Sequence, residues 1–176
     1  MPITIAHLRE QLTAYLDRFP ESADEVQPLL DLDSEDGFDR ATLPGHVTAS
    51  AIVLDECGAV LLIHHRALDR WFQPGGHLEP GDESLPAAAL REAVEETGLD
   101  PIGLELIERF PIHVDVHPIP ANPRRGEGAH DHYDVRYLFR CTRGELRPRT
   151  EEVHAAEWRP AGDLDSAVLV ERLRAY

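Results

Sequence analysis

Residues 75–99 read GGHLEPGDESLPAAALREAVEETGL, a glycine-containing loop that runs into a segment with the marks of a helix. Ser84 suits the N-cap, where its hydroxyl accepts from an N–H of the first turn. Pro86 falls in that turn, where a missing N–H costs nothing. The run Ala87-Ala88-Ala89-Leu90 favours helix, and Gly98 is placed to take the left-handed position beyond its end. At 100° per residue, Glu92, Glu95 and Glu96 share one face through i,i+3 and i,i+4 spacing. Ala87, Leu90 and Val94 gather on the opposite face, ready to pack on a sheet.

Like charges at that spacing destabilise a helix by roughly 0.2–0.5 kcal/mol per pair. A merely solvated acidic face interleaves basic residues four positions on. Here the residue four after Glu92 is Glu96, and four after Glu95 stands Leu99. A divalent cation turns that repulsion into binding, because hard ions such as Mg²⁺ take carboxylate oxygens. The spacing therefore favours a metal site over a solvated face.

Glu83, seven residues, Arg91-Glu92, two residues, Glu95-Glu96, one residue, then Gly98 and aliphatic Leu99 resembles the signature helix of the Nudix hydrolases. Six fixed residue types, each filling about a tenth of positions or less, match by chance on the order of once in 10⁶ starts. The resemblance extends from about His46 to Trp158. Two departures stand out. The family has five residues between its glycine and its first Glu, whereas six separate Gly76 from Glu83; the loop has one extra residue, or Asp82 fills the first acidic position. The site after Arg91-Glu92 holds Ala93 where a larger aliphatic is usual.

The resemblance implies an α/β fold, a Nudix-like mixed β-sheet sandwiched between α-helices, for a hydrolase domain over residues 44–176; residues 1–43 differ in pattern and read as an N-terminal helical extension. The resemblance further implies a Mg²⁺- or Mn²⁺-dependent hydrolase of a diphosphate-containing small molecule, such as a nucleoside diphosphate linked to another moiety. Glu92, Glu95 and Glu96, with the Gly75 carbonyl, would hold metal. Glu92 is the first choice to take a proton from the attacking water, with Glu151 or Glu152 second, since many members carry an additional acid in that loop. The family's matching arginine orients the catalytic Glu; Arg91, four before Glu95, either braces it or holds the loop through backbone carbonyls. Two other classes are open. An isoprenoid diphosphate isomerase would need a cysteine beside a Glu, and neither Cys57 in a turn nor Cys141 at a strand end is well placed. A nucleotide-sensing module without catalysis tends to lose these acids, and all three are present.

Length and charge bound the rest. The 176 residues suffice for one domain with a sizeable core. Arg9, Glu10, Asp17 and Arg18 interrupt every apolar stretch near the start, so no signal peptide is expected, and no apolar run approaches the ~20 residues needed to cross a membrane. Two cysteines are too few for a disulfide framework. A cytoplasmic protein is the default. The net charge of −16 argues against a nucleic-acid polymer or an anionic membrane as partner. It also makes an anionic substrate awkward unless bound cations offset the charge locally. All 17 basic residues are Arg, a compositional bias given little functional weight.

Along the chain, Leu8, Leu12, Tyr15, Leu16 and Phe19 form a helical stripe that Pro20 ends. Ser22 and Glu25 have capping-box spacing for a second helix carrying Val26, Leu29 and Leu30, and DLDSEDGFDRATLPG reads as a linker. The stripe packs on the main domain or makes a homodimer contact, and core packing is favoured. From His46 the pattern turns β: HVTASAIVL and AVLLIHH flank a turn, DRWFQPGGH is a short strand, GLELIERFPIHVDVHPI is extended, and HDHYDVRYLFRC and HAAEWRP are strands. Arg143-Gly144-Glu145 reads as a turn, and DLDSAVLVERLRAY closes as a helix. Alternation puts His113, Asp115 and His117 on one face and His130, His132 and Asp134 on another; if the two strands pair, these faces meet. A second metal or a phosphate pocket and a polar surface are level readings for His130, His132 and Asp134, whereas the surface reading is favoured for the other three. Arg66 could clamp a phosphate; Trp71 and Phe72 could stack on a base, though core packing is the commoner use.

Overall fold

Alternation along two long strands sets the architecture. A computed structural model describes residues 3–66, 68–123, 126–142, 144–148 and 153–176. Strands β1 (Gly45–Leu54) and β7 (His130–Cys141) pair in parallel over ten residues, from Gly45 opposite Asp131 to Leu54 opposite Arg140. Val47, Ala49, Ala51 and Val53 of β1 and Tyr133, Val135, Tyr137 and Phe139 of β7 enter one core cluster. The intervening residues point to the other face, where the polar members His46, Thr48, Ser50, His132 and Asp134 gather in a cleft.

The remaining strands complete an eight-stranded mixed sheet. β2 (Ala59–His65) joins β1 through the turn at Asp55–Gly58 and pairs with β3 (Arg70–Phe72) and β8 (Val153–Pro160). β4 (Gly75–His77) runs antiparallel to β1 over Thr48–Ser50. β5 (Leu104–Leu106) and β6 (His113–Ile119) both pair with β7. Helices lie on both faces. The first face receives α1 (Ile5–Arg18), α2 (Ala23–Leu30) and α3 (Leu85–Thr97). The second receives α4 (Ala167–Leu173), whose Leu169 and Leu173 pack with Ile52, Leu62 and Leu138. No helix among the described residues is long and apolar enough to cross a membrane.

The N-terminal stripe is used inside the chain. Leu8, Leu12, Tyr15, Val26 and Leu29 are fully buried in the same cluster as the sheet. Tyr15 Oη and Ser22 Oγ lie 3.1 Å apart, and Arg172 of α4 donates to both, at 2.8 and 3.0 Å. Ser22 is therefore committed to Tyr15 and Arg172; it sits at the start of α2 but makes no side-chain cap, so the expected capping box does not form. The acidic stretch after α2 is not a loose linker either. It holds a 3₁₀ turn at Glu35–Phe38, and Leu32 and Phe38 pack on the core.

Two other expectations shift. DRWFQPGGH makes two strands, β3 and β4, separated at Gln73-Pro74, and the extended run after Gly103 breaks between β5 and β6. In α3 the caps are as expected: Ser84 Oγ accepts from Ala87 N–H, and Gly98 has φ of 71°. The packed face, however, is Leu85, Ala88, Ala89, Ala93 and Thr97, with Ala87, Leu90 and Val94 only half-buried. Ala93 is fully buried. The rotation has a consequence for the acids, because Glu96 is buried at 7% exposure rather than displayed to solvent.

Candidate active site

The end of α3 meets β4 where β4 has no side chains. Gly75 N–H donates to Glu96 Oε2 at 3.0 Å, and a Cβ on Gly76 would lie 2.7 Å from Glu92 Oε1. At Gly75 a Cβ would strike Ser50 of β1. The Pro-Gly-Gly loop is glycine because a helix carboxylate and a neighbouring strand both crowd it.

Arg91 organises the acids. Its Nη1 donates to Glu92 Oε1 at 2.9 Å and Glu95 Oε2 at 3.3 Å, its Nη2 to the His77 carbonyl at 2.9 Å. The two alternatives read for Arg91, bracing Glu95 and holding the loop, both occur. The guanidinium also forks onto Asp82, from Nε to Oδ1 at 3.0 Å and from Nη2 to Oδ2 at 3.1 Å. Burial pushes the Glu92 carboxyl above the usual range, opposed by the Arg91 charge. Glu95 is the most exposed of the three acids, with half its side chain in solvent.

Asp82 is buried and also accepts from Glu79 N–H at 2.7 Å, whereas Glu83 is exposed. The open question of the first acidic position is thereby answerable. Asp82→Asn is expected to cost about 2 kcal/mol in urea unfolding, the worth of a hydrogen bond to a charged group. Glu83→Gln should stay within about 0.5 kcal/mol of the parent. The reverse order would return the structural role to Glu83.

These groups open on a cleft of ≈ 1510 Å³ running across β1, β4, β6 and β7 and bordered by the N-terminal extension at Ile3, Phe38 and Arg40. Its walls carry Arg40, Arg70 and Arg136 against Glu35, Asp39, Glu79, Glu92, Glu96, Asp115, Glu127, Asp134 and Asp165. Arg136 is 2% exposed and spent on carboxylates: Nε donates to Asp134 at 2.8 Å and Nη2 to Asp115 at 2.9 Å. Asp134 also accepts from Ser50 Oγ at 2.7 Å and Gln73 Nε2 at 3.3 Å.

The two His-bearing strands do pair, with Asp115 opposite Asp134 and His117 opposite His132. His117, read as surface, lines the cleft, where its hydrogen bond to Asp115 raises its pKa. His113 does not; burial and the Arg136 charge push its pKa down to about 4, and its Nε2 lies 3.2 Å from Ser166 Oγ. His130 and His132 are brought into the cleft. Arg66 is exposed in the turn after β2, and from that stretch the described cleft takes His65, Leu68 and Arg70 instead. Phe72 lines the cleft beneath Arg70, while Trp71 packs with the α4 side under Arg159. Glu151 and Glu152 lie outside the described residues, as does Arg143. Cys57 is exposed in the β1–β2 turn and Cys141 is buried at the end of β7, and neither is among the cleft's described residues.

Sequence reasoning passed over His46, His77, Arg70, Gln73 and Arg136. A single polar residue in or beside a strand has no local signal, and each of these gains its partners only when the strands pair.

Known proteins resemble this chain at both levels. A family model for the NUDIX domain matches residues 44–175. An RNA pyrophosphohydrolase from Dinoroseobacter shibae is 31% identical over 144 residues, covering 76% of this chain and 89% of that protein. An asymmetrical bis(5'-nucleosyl)-tetraphosphatase from Sus scrofa is 48% identical over 48 residues, 27% of this chain and 29% of that one. Among solved structures, a C. elegans Ap4A hydrolase binary complex superposes with a TM-score of 0.55 at 20% identity, over 73% of this chain and 92% of that one. The NUDIX domain of Shewanella oneidensis NrtR complexed with ADP ribose gives 0.51 at 22% identity, over 86% and 97%.

Proposed function

Because the chain belongs to the Nudix hydrolase family, a family acting on diphosphate-containing substrates, we propose that it hydrolyses a diphosphate-linked small molecule with Mg²⁺ or Mn²⁺ held by Glu92, Glu95, Glu96 and the Gly75 carbonyl. The observation that carries this reading is the placement of Glu92 and Glu96 against two glycines at the wall of the cleft. The donor set suits a hard ion. It is all oxygen, acids outnumber the single Arg91 guanidinium, and the space a Cβ would fill at Gly76 is taken by the Glu92 carboxylate.

When bound, such an ion supplies charge neutralisation for phosphate oxygens and an acidified water. The chain's own groups do the rest. Arg91 fixes Glu92 so that one carboxylate edge faces the cleft and can take the proton of the attacking water. Glu96 is buried and anchored on Gly75 N–H, which fixes where its carboxylate meets the cleft. Arg70 and Gln73, with His117 across the cleft, are placed to meet an anionic substrate. Glu151 or Glu152 is the alternative proton acceptor.

The test is a hydrolysis and binding screen across nucleoside triphosphates, nucleotide sugars, dinucleotides and isoprenoid diphosphates in Mg²⁺, Mn²⁺ and Ca²⁺. Product is expected with Mg²⁺ or Mn²⁺ and little with Ca²⁺, which takes more ligands at longer distances. Tight binding without product in any ion would make the chain a sensor. Isomerised rather than hydrolysed diphosphate would move it to the isomerase class.

A further inference from the structure

We propose that His46, His77 and His132 form a binding site for a borderline first-row divalent cation such as Zn²⁺, separate from the carboxylates of α3. Each offers a ring nitrogen, and the three nitrogens lie within 4.8 Å of one another. Among the described residues no other set of His, Cys, Asp or Glu comes this close together; Glu92, Glu95 and Glu96 do not. Sheet register makes the cluster. His46 and His132 are neighbours on the parallel β1–β7 pair, and His77 sits opposite Thr48 on the other side of β1. The rings meet at centroid distances of 5.1 Å for His46–His77, 4.9 Å for His46–His132 and 5.1 Å for His77–His132.

The proton of His46 points the right way for a metal. The His46 Nδ1 lies 3.3 Å from the Thr42 carbonyl, and that of His130 lies 2.9 Å from the Gly128 carbonyl. A carbonyl only accepts, so each ring puts its proton on Nδ1 and turns a lone pair outward at Nε2. This is the outer hydrogen bond that fixes metal-ligating imidazoles. His46 Nε2 is buried with no hydrogen-bond partner among the described residues, which a coordinate bond would satisfy. The His130 and His132 Nε2 atoms are 3.3 Å apart. His130 is not one of the residues whose nitrogens all lie within 4.8 Å of one another, so it flanks the three-histidine site without completing it.

A phosphate fits the same place badly. Anions need N–H donors, whereas His46 and His130 spend theirs on backbone carbonyls. Burial and the surrounding imidazoles disfavour a proton charge on His132, and burial does the same at His46. Imidazole selects the later first-row metals and carboxylate oxygen selects Mg²⁺ or Mn²⁺, so one cleft would hold two ions of different character. The Arg91–His77 carbonyl bond joins the two sites.

The test is metal content and affinity, independent of turnover. Full-length protein stripped with chelator is titrated with Zn²⁺ by calorimetry in excess Mg²⁺, with elemental analysis for stoichiometry. One Zn²⁺ per chain is expected. It should persist in Glu92→Gln and Glu96→Gln, and weaken by about 100-fold or more in His46→Gln/His132→Gln, given that even outer partners of such ligands cost 10–100-fold. Imidazole ¹⁵N NMR of the parent protein covers the case where the double variant misfolds. Zn²⁺ should move the His46 Nε2 resonance and leave its Nδ1–H in place. The proposal is overturned if the parent retains no Zn²⁺, if a folded double variant binds it as tightly, if only the Glu variants lose it, or if inorganic phosphate and not Zn²⁺ shifts these resonances.

Discussion

Glu96→Gln and Glu92→Gln are each expected to lower hydrolysis by about 10²–10⁴-fold, the range for losing a positioned acid–base group, while the fold stands. In Glu96→Gln the new amide oxygen can still accept from Gly75 N–H at the 3.0 Å position. That variant no longer buries a charge, so its melting temperature should hold or rise. Glu92→Gln keeps an oxygen for Arg91, which retains its fork on Asp82. Glu95→Gln, at a third proposed ligand, should also lower turnover, and it should move the melting temperature least of the three, because its side chain is half in solvent and its i,i+4 contact with Arg91 is worth only about 0.3–0.5 kcal/mol. Steady-state rates at saturating Mg²⁺ and thermal melts without divalent ion, run in parallel, separate the two effects. Full turnover in both Glu92→Gln and Glu96→Gln would end the metal-site reading; unfolding without metal would make these acids structural.

Arg136→Met should be the most destabilising single change in the cleft. The side chain is 2% exposed, and Asp134, 3% exposed, depends on it. Removing one partner of a buried pair costs about 3–5 kcal/mol, because the remaining charge is stranded in low dielectric. For a chain of this size that corresponds to a fall of roughly 10 °C in melting temperature. Asp115, which shares the guanidinium and is held low chiefly by its His117 hydrogen bond, keeps that bond but loses the Arg136 charge. Adding Asp134→Asn should recover part of the loss, since it discharges the stranded carboxylate. A melting temperature within a degree or two of the parent would show that water reaches these groups and that the pair contributes little to stability.

How much of this could be read beforehand depends on how far apart the partners lie in sequence. The limits of α3 were legible because Ser84, Pro86 and Gly98 act on backbone within a turn or two of themselves. The acids Glu92, Glu95 and Glu96 were legible because helical geometry fixes their spacing. The β character of both long strands was legible from alternation, and so was the meeting of the β6 and β7 polar faces. The packed face of α3 was misjudged by part of a turn. Helical position alone puts Ala87, Leu90 and Val94 toward the sheet, but close approach is made by Ala88, Ala89 and Ala93, and Leu90 and Val94 fill the flanks. Ser22 was assigned to its own helix end because a local hydrogen bond is all that spacing can suggest; its actual partners are Tyr15 and Arg172. His46 and His77 gave no signal at all, as each becomes part of a site only when β1 takes its place between β4 and β7.

That central placement of β1 governs how the molecule is made. His46 meets His132 across 86 residues (132 − 46), and closing a loop of that length costs about 4 kcal/mol of chain entropy before any contact offsets it. During synthesis at about 5–20 residues per second, β1 waits several seconds or more for its parallel neighbour to emerge. All ten of its positions are buried in the finished fold, so for that interval an apolar strand with open edges is exposed to other nascent chains. The cleft is thus among the last parts of the protein to exist, and a ribosome stalled before β7 would release a chain prone to aggregate and without a site.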